Sequence, residues 1–354
     1  MIPVMLPRLP SAGDVHPYLE RIDSTRIYTN FGPLVREFEQ RHAQRLGVDP
    51  STVVSVANAT LGLEGAVAVS GATTWIVPDY TFPASVHAVL AAGKSLQLSD
   101  IDGVDWQLDT SALKGGDDVG IMPVLPFGAG ISLARWAGFD EVVIDAAASL
   151  GSDELDLAGL PETWAVVFSV HATKVLPAGE GGLVVFGSSE RAKRFRAWSN
   201  FGFAGTRLSS IVGTNAKMPE VSAAYGLASL DAWERDREEW QVALRTAHRI
   251  TEELGVASPV DRYSGVHPYW IVQFAHREIR DRAVRVLEAE GVESRLWWPA
   301  PLHEMPAFRE WAPASAVPQC THAADTSLGL PMYRDIDAAD LDRVGSALAK
   351  AVGH

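Results

Sequence analysis

The chain has 354 residues, of which 47% are hydrophobic and 21% charged, so it can bury a large core and is predicted to form two domains. The formal net charge is −14 and the basic residues form no long run, which argues against a nucleic acid or an anionic membrane as partner. The single Cys320 permits no internal disulfide, and no Cys/His spacing typical of a metal site is present, which favours a reducing compartment.

Neither the N-terminus nor the apolar stretches have the pattern of a targeting or membrane segment. The first ten residues contain three prolines and lack a continuous apolar segment with a cleavage site, so we expect no secretion signal. The longest apolar stretch, 119–134, is interrupted by prolines and glycines and falls short of the roughly 20 residues of a spanning helix. We therefore expect a cytoplasmic protein.

Short β-branched runs alternate with helical patterns from about residue 35 to residue 185, which predicts an α/β domain with a mainly parallel central sheet sandwiched by helices. The predicted strands are 53–57, 74–77, 95–98, 120–123, 141–144, 165–169 and 183–186. The predicted helices between them are 34–45, 61–70 and 84–92, which have apolar residues at helical spacing.

A long helical segment with mixed charges, about 219–254, is predicted to lead out of this first domain. After it, 269–274 is a predicted strand, 277–290 an amphipathic helix, and 338–352 a closing helix with Asp337 as its N-cap. We therefore predict a large α/β domain, residues 1–245, followed by a smaller α+β domain, residues 246–354.

Lys174 ends the segment 169–174 (SVHATK), between two predicted buried strands. From its position alone, a lysine in such a loop could be only a surface charge. However, Ser169, His171 and Thr173 would bring hydroxyl and imidazole donors close to this amine and to an anion beside it. A pyridoxal phosphate site needs this set: an amine for the Schiff base, donors for the phosphate, and an acid facing the pyridine nitrogen.

Asp145 is the candidate for the acid. It follows a predicted strand and is surrounded by small apolar residues, which would destabilise a lone carboxylate. A protonated pyridine nitrogen would be its cationic partner, and the carboxylate would in turn keep the ring protonated. The alternative is that Asp145 caps a helix that follows the strand, a position where Asp is common.

Two further segments could contact a cofactor. Strand 53–57 is followed by Asn58-Ala59-Thr60 and a helix, whose N-terminus would offer backbone donors to an anion. Asn58 or Thr60 could equally be capping residues only. Phe82 follows the next strand, at the edge where open α/β sheets bind ligands, and it could stack on a pyridine ring or pack in the core.

With these motifs in order along the chain, the sequence resembles the DegT/DnrJ-type sugar aminotransferases, a branch of the fold-type I pyridoxal phosphate enzymes. The resemblance extends nearly from end to end. The segments that carry it are 30–33 (NFGP), 58–60 (NAT), 145–147 (DAA), 169–174 (SVHATK), 180–182 (EGG), 199–202 (SNFG), 213–218 (GTNAKM) and 301–303 (PLH).

The resemblance implies the roles of the cofactor residues. Lys174 would form the Schiff base and move protons, and Asp145 would face the pyridine nitrogen. Asn215 would reach the phosphate of the neighbouring subunit's cofactor, which implies a homodimer with two shared active sites. The other implied cofactor contacts, by stacking or to the phosphate, are those of Ala59, Thr60, Phe82 and Ser169.

The sequence departs from the family pattern at two positions. Ala148 stands where the family often has Gln or His, so a hydrogen bond to the ring hydroxyl of the cofactor is missing, and water or another donor must replace it. Ala59 stands where Gly is frequent, which tightens the phosphate turn but leaves its backbone donor available.

The implied reaction is a ping-pong transamination, in which glutamate gives its amino group to the cofactor and a sugar ketone then receives it. Segments 171–174 and 215–218 resemble those of enzymes that aminate carbon four of a dTDP-linked 4-keto-6-deoxyhexose, which implies this substrate. Carbon-three amination and a carbocyclic ketone, as in aminocyclitol synthesis, are the alternatives. The candidate substrate-binding residues are Lys217, Arg207 and His303, with Arg295 in addition. Each of the cations Lys217, Arg207 and Arg295 could instead be a solvated surface charge, and for Arg207 the two alternatives have equal weight.

Two hypotheses from other classes are weaker. A related dehydratase would have histidine in place of the Schiff-base lysine, so Lys174 argues against it. A non-catalytic member of the fold that senses a ligand would have no need of both Lys174 and Asp145.

Overall fold

A seven-stranded sheet forms the centre of the structure, a computed structural model that describes residues 1–111 and 113–353. In space its strands follow the order β1-β7-β6-β5-β4-β2-β3. Only β7 is antiparallel to its neighbours, β1 and β6, and the other pairs are parallel. The expected mainly parallel α/β sheet is therefore confirmed. In chain order the strands are β1 (Val53–Val56), β2 (Thr74–Pro78), β3 (Ser95–Ser99), β4 (Val119–Ile121), β5 (Glu141–Asp145), β6 (Trp164–Ser169) and β7 (Gly182–Phe186).

Both faces of this sheet are covered by helices. Every residue of β5, β6 and β7 is buried, as expected for strands that have no face in water. Successive residues of β5 enter different apolar clusters, Val142 and Ile144 on one face and Val143 on the other. The sheet therefore separates two cores and leaves its strand ends as the places where polar side chains can meet.

The helices agree with the predicted segments at most positions. The described helices are α1 (Ala12–Thr25), α2 (Pro33–Leu46), α3 (Ala59–Ala68), α4 (Pro83–Ala91), α5 (Ser189–Trp198), α6 (Glu220–Asp231), α7 (Trp233–Glu253), α8 (Arg277–Ala289), α9 (Pro318–Thr326) and α10 (Ala338–Val352). Asp337 caps α10 by accepting a hydrogen bond from the N–H of Asp340, as predicted. The segment predicted as one helix over 219–254 is two helices that meet at Ala232. None of the described helices is long and apolar enough to cross a membrane.

A two-stranded antiparallel sheet, β8 (Trp270–Gln273) with β9 (Ser327–Leu330), is the centre of the C-terminal part, where α8 and α10 pack together. The first residues of the chain join this part, because Ile2 pairs with Val292 and the N–H of Met332 donates to the carbonyl of Val4. Helix α7 passes through residue 245. The division into 1–245 and 246–354 stays a prediction.

The buried carboxylate of Glu220 joins the first turns of α6 and α2. Glu220 is 1% exposed and accepts hydrogen bonds from the backbone N–H groups of Leu34 (2.8 Å) and Val35 (2.9 Å). These N–H groups belong to the first turn of α2 and so have no partner inside their own helix.

Glu220→Ala should therefore lower the free energy of unfolding by about 3 kcal/mol, because two buried donors lose a charged acceptor. Denaturant unfolding measures this difference. Glu238→Ala removes an exposed carboxylate from α7 and should change the free energy of unfolding by less than about 0.5 kcal/mol. Equal stabilities of the two variants would contradict the role given to Glu220.

Candidate active site

A cavity of about 780 Å³ opens where the strands of the central sheet end and the C-terminal part approaches them. Strands β1, β2, β5 and β6 deliver their final residues, or the loops that follow them, to this cavity. It brings together six of the predicted site residues, namely Ala59, Thr60, Phe82, Asp145, Ser169 and Lys174.

Asp145, the last residue of β5, lines the cavity and is 5% exposed. Burial raises the pKa of its carboxyl group, against the opposing effects of a 2.7 Å hydrogen bond from Ser85 Oγ, a 3.2 Å bond from the Ala147 N–H, and the charge of Lys174. The alternative role as a helix cap is wrong, because the chain turns after β5 and forms no described α-helix before β6. The carboxylate is thus held by two donors, but none of the residues that the structure describes forms an ion pair with it.

Lys174 lies in the loop between β6 and β7, half-buried in the wall of the same cavity. Its Nζ donates a 2.8 Å hydrogen bond to the hydroxyl of Tyr269 and lies 5.4 Å from the centroid of that ring. The alternative of a freely solvated surface charge is therefore wrong. Among the described residues that line the cavity, Lys174 provides the one primary amine.

The first turn of α3 faces the cavity close to the start of β7. Asn58 caps this helix through a 3.0 Å hydrogen bond from the Leu61 N–H to its side chain, which leaves the backbone donors of Ala59 and Thr60 without partners inside the helix. A Cβ atom at Gly182 would lie 2.8 Å from the Ala59 nitrogen, so only glycine permits this approach of β7. With Ser169 beside it, this helix N-terminus provides donors and a positive dipole for an anion.

Aromatic rings form much of the remaining wall. Phe82 is 61% exposed at the cavity, so the alternative of core packing is wrong for this residue. Phe127 stacks on Trp298 with ring centroids 4.5 Å apart, and Tyr269 meets Trp297 edge to face at 5.3 Å. A flat, partly apolar ligand would thus meet rings on several sides.

Five predicted residues, Arg295 among them, lie outside the lining of this cavity. Asn215 pairs with Asn200 on the backbone, and Arg207 is exposed in the loop between α5 and α6. The N–H of His303 donates to Asp79 (2.9 Å), and its ring bonds the same carboxylate. Lys217 is buried, and no described residue accepts a hydrogen bond from its Nζ; burial lowers the pKa of this amine. Their substrate and cofactor roles stay predictions.

Several residues of the site were not predicted from the sequence. Ser85 lies 60 residues from Asp145 in the chain, and no local pattern connects the two. Tyr269 was included only as the start of a predicted strand. Trp297 and Trp298 are adjacent tryptophans next to a proline, and such a pair is a signal that could have indicated a ligand surface.

The residues that surround the cavity fit pyridoxal phosphate. The amine of Lys174 and the carboxylate of Asp145 face one volume, as the aldehyde and the pyridine nitrogen of this cofactor require. Asp145 also has a raised pKa, so a nearby pyridinium would relieve the cost of its burial. The first turn of α3, approached closely by Gly182, offers the place for the phosphate.

Comparisons with known proteins agree with this geometry. The model of the DegT/DnrJ/EryC1/StrS aminotransferase family matches residues 12–349. The dTDP-4-amino-4,6-dideoxy-D-glucose transaminase of Shigella dysenteriae is 26% identical over 98% of this chain and 97% of its own length. GDP-perosamine synthase of Caulobacter vibrioides is 28% identical, over 98% and 97%. The solved structure of DesI in the presence of its TDP-sugar product superposes with a TM-score of 0.86 at 32% identity, over 99% of this chain and 93% of that one.

Proposed function

Since the chain belongs to the DegT/DnrJ/EryC1/StrS aminotransferase family, whose members are pyridoxal-phosphate-dependent sugar aminotransferases, we propose that it transfers an amino group from glutamate to a nucleotide-linked keto sugar. The proposed acceptor is the ketone at carbon four of a dTDP-linked 4-keto-6-deoxyhexose. The observation that carries the reaction type is the meeting of Lys174 and Asp145 at one cavity. The nucleotide rests on the two relatives whose names specify a dTDP-amino sugar and a TDP-sugar product, and the ring position rests on the first of them.

In this proposal Lys174 and Asp145 act directly on the bound cofactor. Pyridoxal phosphate, when bound, supplies an aldehyde carbon for an amine and a ring that accepts negative charge. The Nζ atom of Lys174 holds the cofactor and afterwards carries a proton to or from the reacting carbon. The carboxylate of Asp145, fixed by Ser85 and the Ala147 N–H, keeps a proton on the ring nitrogen.

Other residues of the cavity wall bind the phosphate and the ring of the cofactor. The backbone donors of Ala59 and Thr60, with the hydroxyl of Ser169, bind the phosphate. Phe82 stacks on the ring of the cofactor. The Phe82 side chain is 61% exposed, which is consistent with a ring face that is free to contact a ligand.

The nucleotide pyrophosphate needs cations, for which we propose Lys217, Arg207 and Arg295, with His303 as a further contact. The guanidinium of Arg295 lies 4.9 Å from the centroid of Trp297, a residue of the cavity wall, and so reaches the rim of the site. Lys217 has a buried amine, and none of the described residues accepts a hydrogen bond from it. An anionic ligand would satisfy it.

We also propose a homodimer in which Asn215 contacts the cofactor phosphate of the neighbouring subunit. The loop that leads to Asn215 carries Leu208 and Val212, which are 77% and 93% exposed. Apolar side chains this exposed in one loop support a surface that a second subunit covers. The cytoplasmic location is likewise a proposal.

The test uses purified holoenzyme. Adding glutamate should shift the visible absorption band of the bound cofactor, and the shifted enzyme should then convert a dTDP-linked 4-keto-6-deoxyhexose to the amino sugar, detected by the mass of the product. The same assay is run with a panel of other acceptors, namely UDP- and GDP-linked keto sugars, 3-keto isomers and a carbocyclic ketone. Turnover of one of these alone would overturn the proposed substrate, and absence of any spectral response to glutamate would favour a ligand-sensing protein.

A further inference from the structure

The wall of the active-site cavity has a short side chain where a hydrogen-bond donor to the cofactor is expected. Ala148, three residues after Asp145, lines the cavity and packs against the aromatic cluster that contains Phe127 and Tyr269. Its methyl group cannot donate to a ring hydroxyl. An uncompensated phenolic oxygen in a partly apolar cavity would be unfavourable, so another donor should be close by.

Three segments meet at this point of the wall. A Cβ atom at Gly128, where φ is +106°, would lie 2.6 Å from the Cβ of His267 and 3.4 Å from the carbonyl oxygen of Ala148. Only glycine allows His267, in the segment before β8, to come this close to the backbone at position 128, and position 128 is in turn at contact distance from the turn after β5. Tyr269, two residues after His267, is thereby placed on the same side of the cavity as Ala148.

The ring of Tyr269 is held rigidly, and its hydroxyl points at the reacting amine. Tyr269 is 8% exposed and meets both Phe127 and Trp297 at centroid distances of 5.3 Å. Its Oη accepts the 2.8 Å hydrogen bond from Lys174 Nζ. In pyridoxal phosphate the aldehyde and the ring hydroxyl are on adjacent ring carbons, so a group within hydrogen-bond distance of the linked amine is also within reach of the ring oxygen.

We propose that Tyr269 supplies the hydrogen bond that Ala148 cannot make, donating its hydroxyl proton to the ring oxygen of the cofactor beside Lys174. This inference rests on the proposed function, because it presupposes pyridoxal phosphate linked to Lys174. Tyr269 orients the cofactor and sets the charge on its ring oxygen. The small side chain of Ala148 leaves space beside the ring oxygen for the hydroxyl of Tyr269.

The test compares Tyr269→Phe with wild-type holoenzyme in the absence of any amino-acid substrate. The visible band of the linked cofactor changes when the proton on Lys174 Nζ is lost, and the midpoint of this change should rise by about one pH unit in the variant. The reason is that a hydrogen bond donated to the ring oxygen reduces the negative charge on that oxygen. In Tyr269→Phe the full charge stabilises the proton on Lys174 Nζ. The dissociation constant of the cofactor should rise about tenfold, as for the loss of one buried hydrogen bond.

Other titratable groups near Tyr269 should not obscure this shift. Asp145, His171 and Glu180 line the same cavity, and all three are present in both proteins. Burial lowers the pKa of His267 to about 4, so it is neutral across the titration.

The matched control is Tyr263→Phe. Tyr263 is a second tyrosine of the same segment; no described residue bonds its hydroxyl, and it lies outside the lining of the active-site cavity. This variant should keep the wild-type midpoint and cofactor affinity. Adding Ala148→Gln to Tyr269→Phe should return both values toward wild type, since an amide donor again reaches the ring oxygen.

If Tyr269→Phe had the wild-type midpoint and the wild-type dissociation constant for the cofactor, the inference would be overturned. A shift that Ala148→Gln leaves uncorrected would overturn the assignment to the ring oxygen. A wild-type protein that forms no visible band with pyridoxal phosphate would instead refute the proposed function, so the two failures are distinguishable.

Discussion

Lys174→Ala is expected to lower the rate of transamination by about 10⁴-fold and to abolish the visible band of the linked cofactor. The rate falls because the proton carrier is lost, and general acid–base catalysis contributes up to about 10⁴-fold. The band disappears because Lys174 provides the one primary amine among the described residues that line the cavity. Single-turnover kinetics with glutamate measure the first effect, and an absorption spectrum of the reconstituted protein measures the second.

Lys193→Ala is the matched control for this prediction. Lys193 is exposed on α5, remote from the cavity lining, so its removal should leave both the rate and the spectrum as in wild type. A Lys174→Ala protein that keeps the band would show that another amine holds the cofactor.

Asp145→Asn is expected to lower turnover by about 10³-fold. The amide can keep the contacts to Ser85 and to the Ala147 N–H but carries no charge for the ring nitrogen. Removing one charge of a buried pair costs about 3–5 kcal/mol, and each 1.36 kcal/mol corresponds to a factor of about ten in rate. Asp140→Asn, an exposed change just before the other end of β5, should have no such effect. Equal turnover of the two variants would contradict the role of Asp145.

The same substitution should stabilise the protein when the cofactor is removed. Burial raises the pKa of Asp145, so from about pH 3.9 up to the raised value the folded apoprotein keeps a proton that the unfolded chain has lost. The free energy of unfolding therefore falls as the pH rises through this range, and the loss is complete above it. The asparagine side chain has no carboxyl group, so the apoprotein of Asp145→Asn should not lose stability in this way. Its free energy of unfolding should exceed that of wild type at pH 7, and the difference should vanish at acidic pH. Denaturant unfolding at several pH values tests this trend, and a difference independent of pH would contradict it.

The sequence was sufficient for the features that depend on local patterns. The predicted strands agree with β1 to β7, because most of them are buried on both faces and read as continuous apolar runs, whereas β3 alternates buried and exposed residues. Lys174 and Asp145 were identified because each follows such a strand, and parallel strands bring their carboxyl ends to one edge.

Features that depend on contacts between distant segments could not be predicted in this way. The bond between Ser85 and Asp145 spans 60 residues, and the bond between Lys174 and Tyr269 spans 95. Three of the described helices, α1, α5 and α9, were not predicted. Helix α9 has only nine residues and few large apolar side chains, and the other two were missed for local reasons. Helix α1 contains Pro17, which normally argues against a helix, and α5 is so rich in charge that its apolar face is short. The break at Ala232 involves neither Gly nor Pro, so no residue marked it.

The most direct test of this account is to reduce the holoenzyme with borohydride, digest it and find the modified lysine by mass spectrometry. We expect the cofactor to remain attached to the peptide that contains Lys174 and to no other. Attachment at Lys217 or any other lysine, or an unmodified Lys174 in fully reconstituted enzyme, would contradict the assignment of this amine as the anchor of the active site.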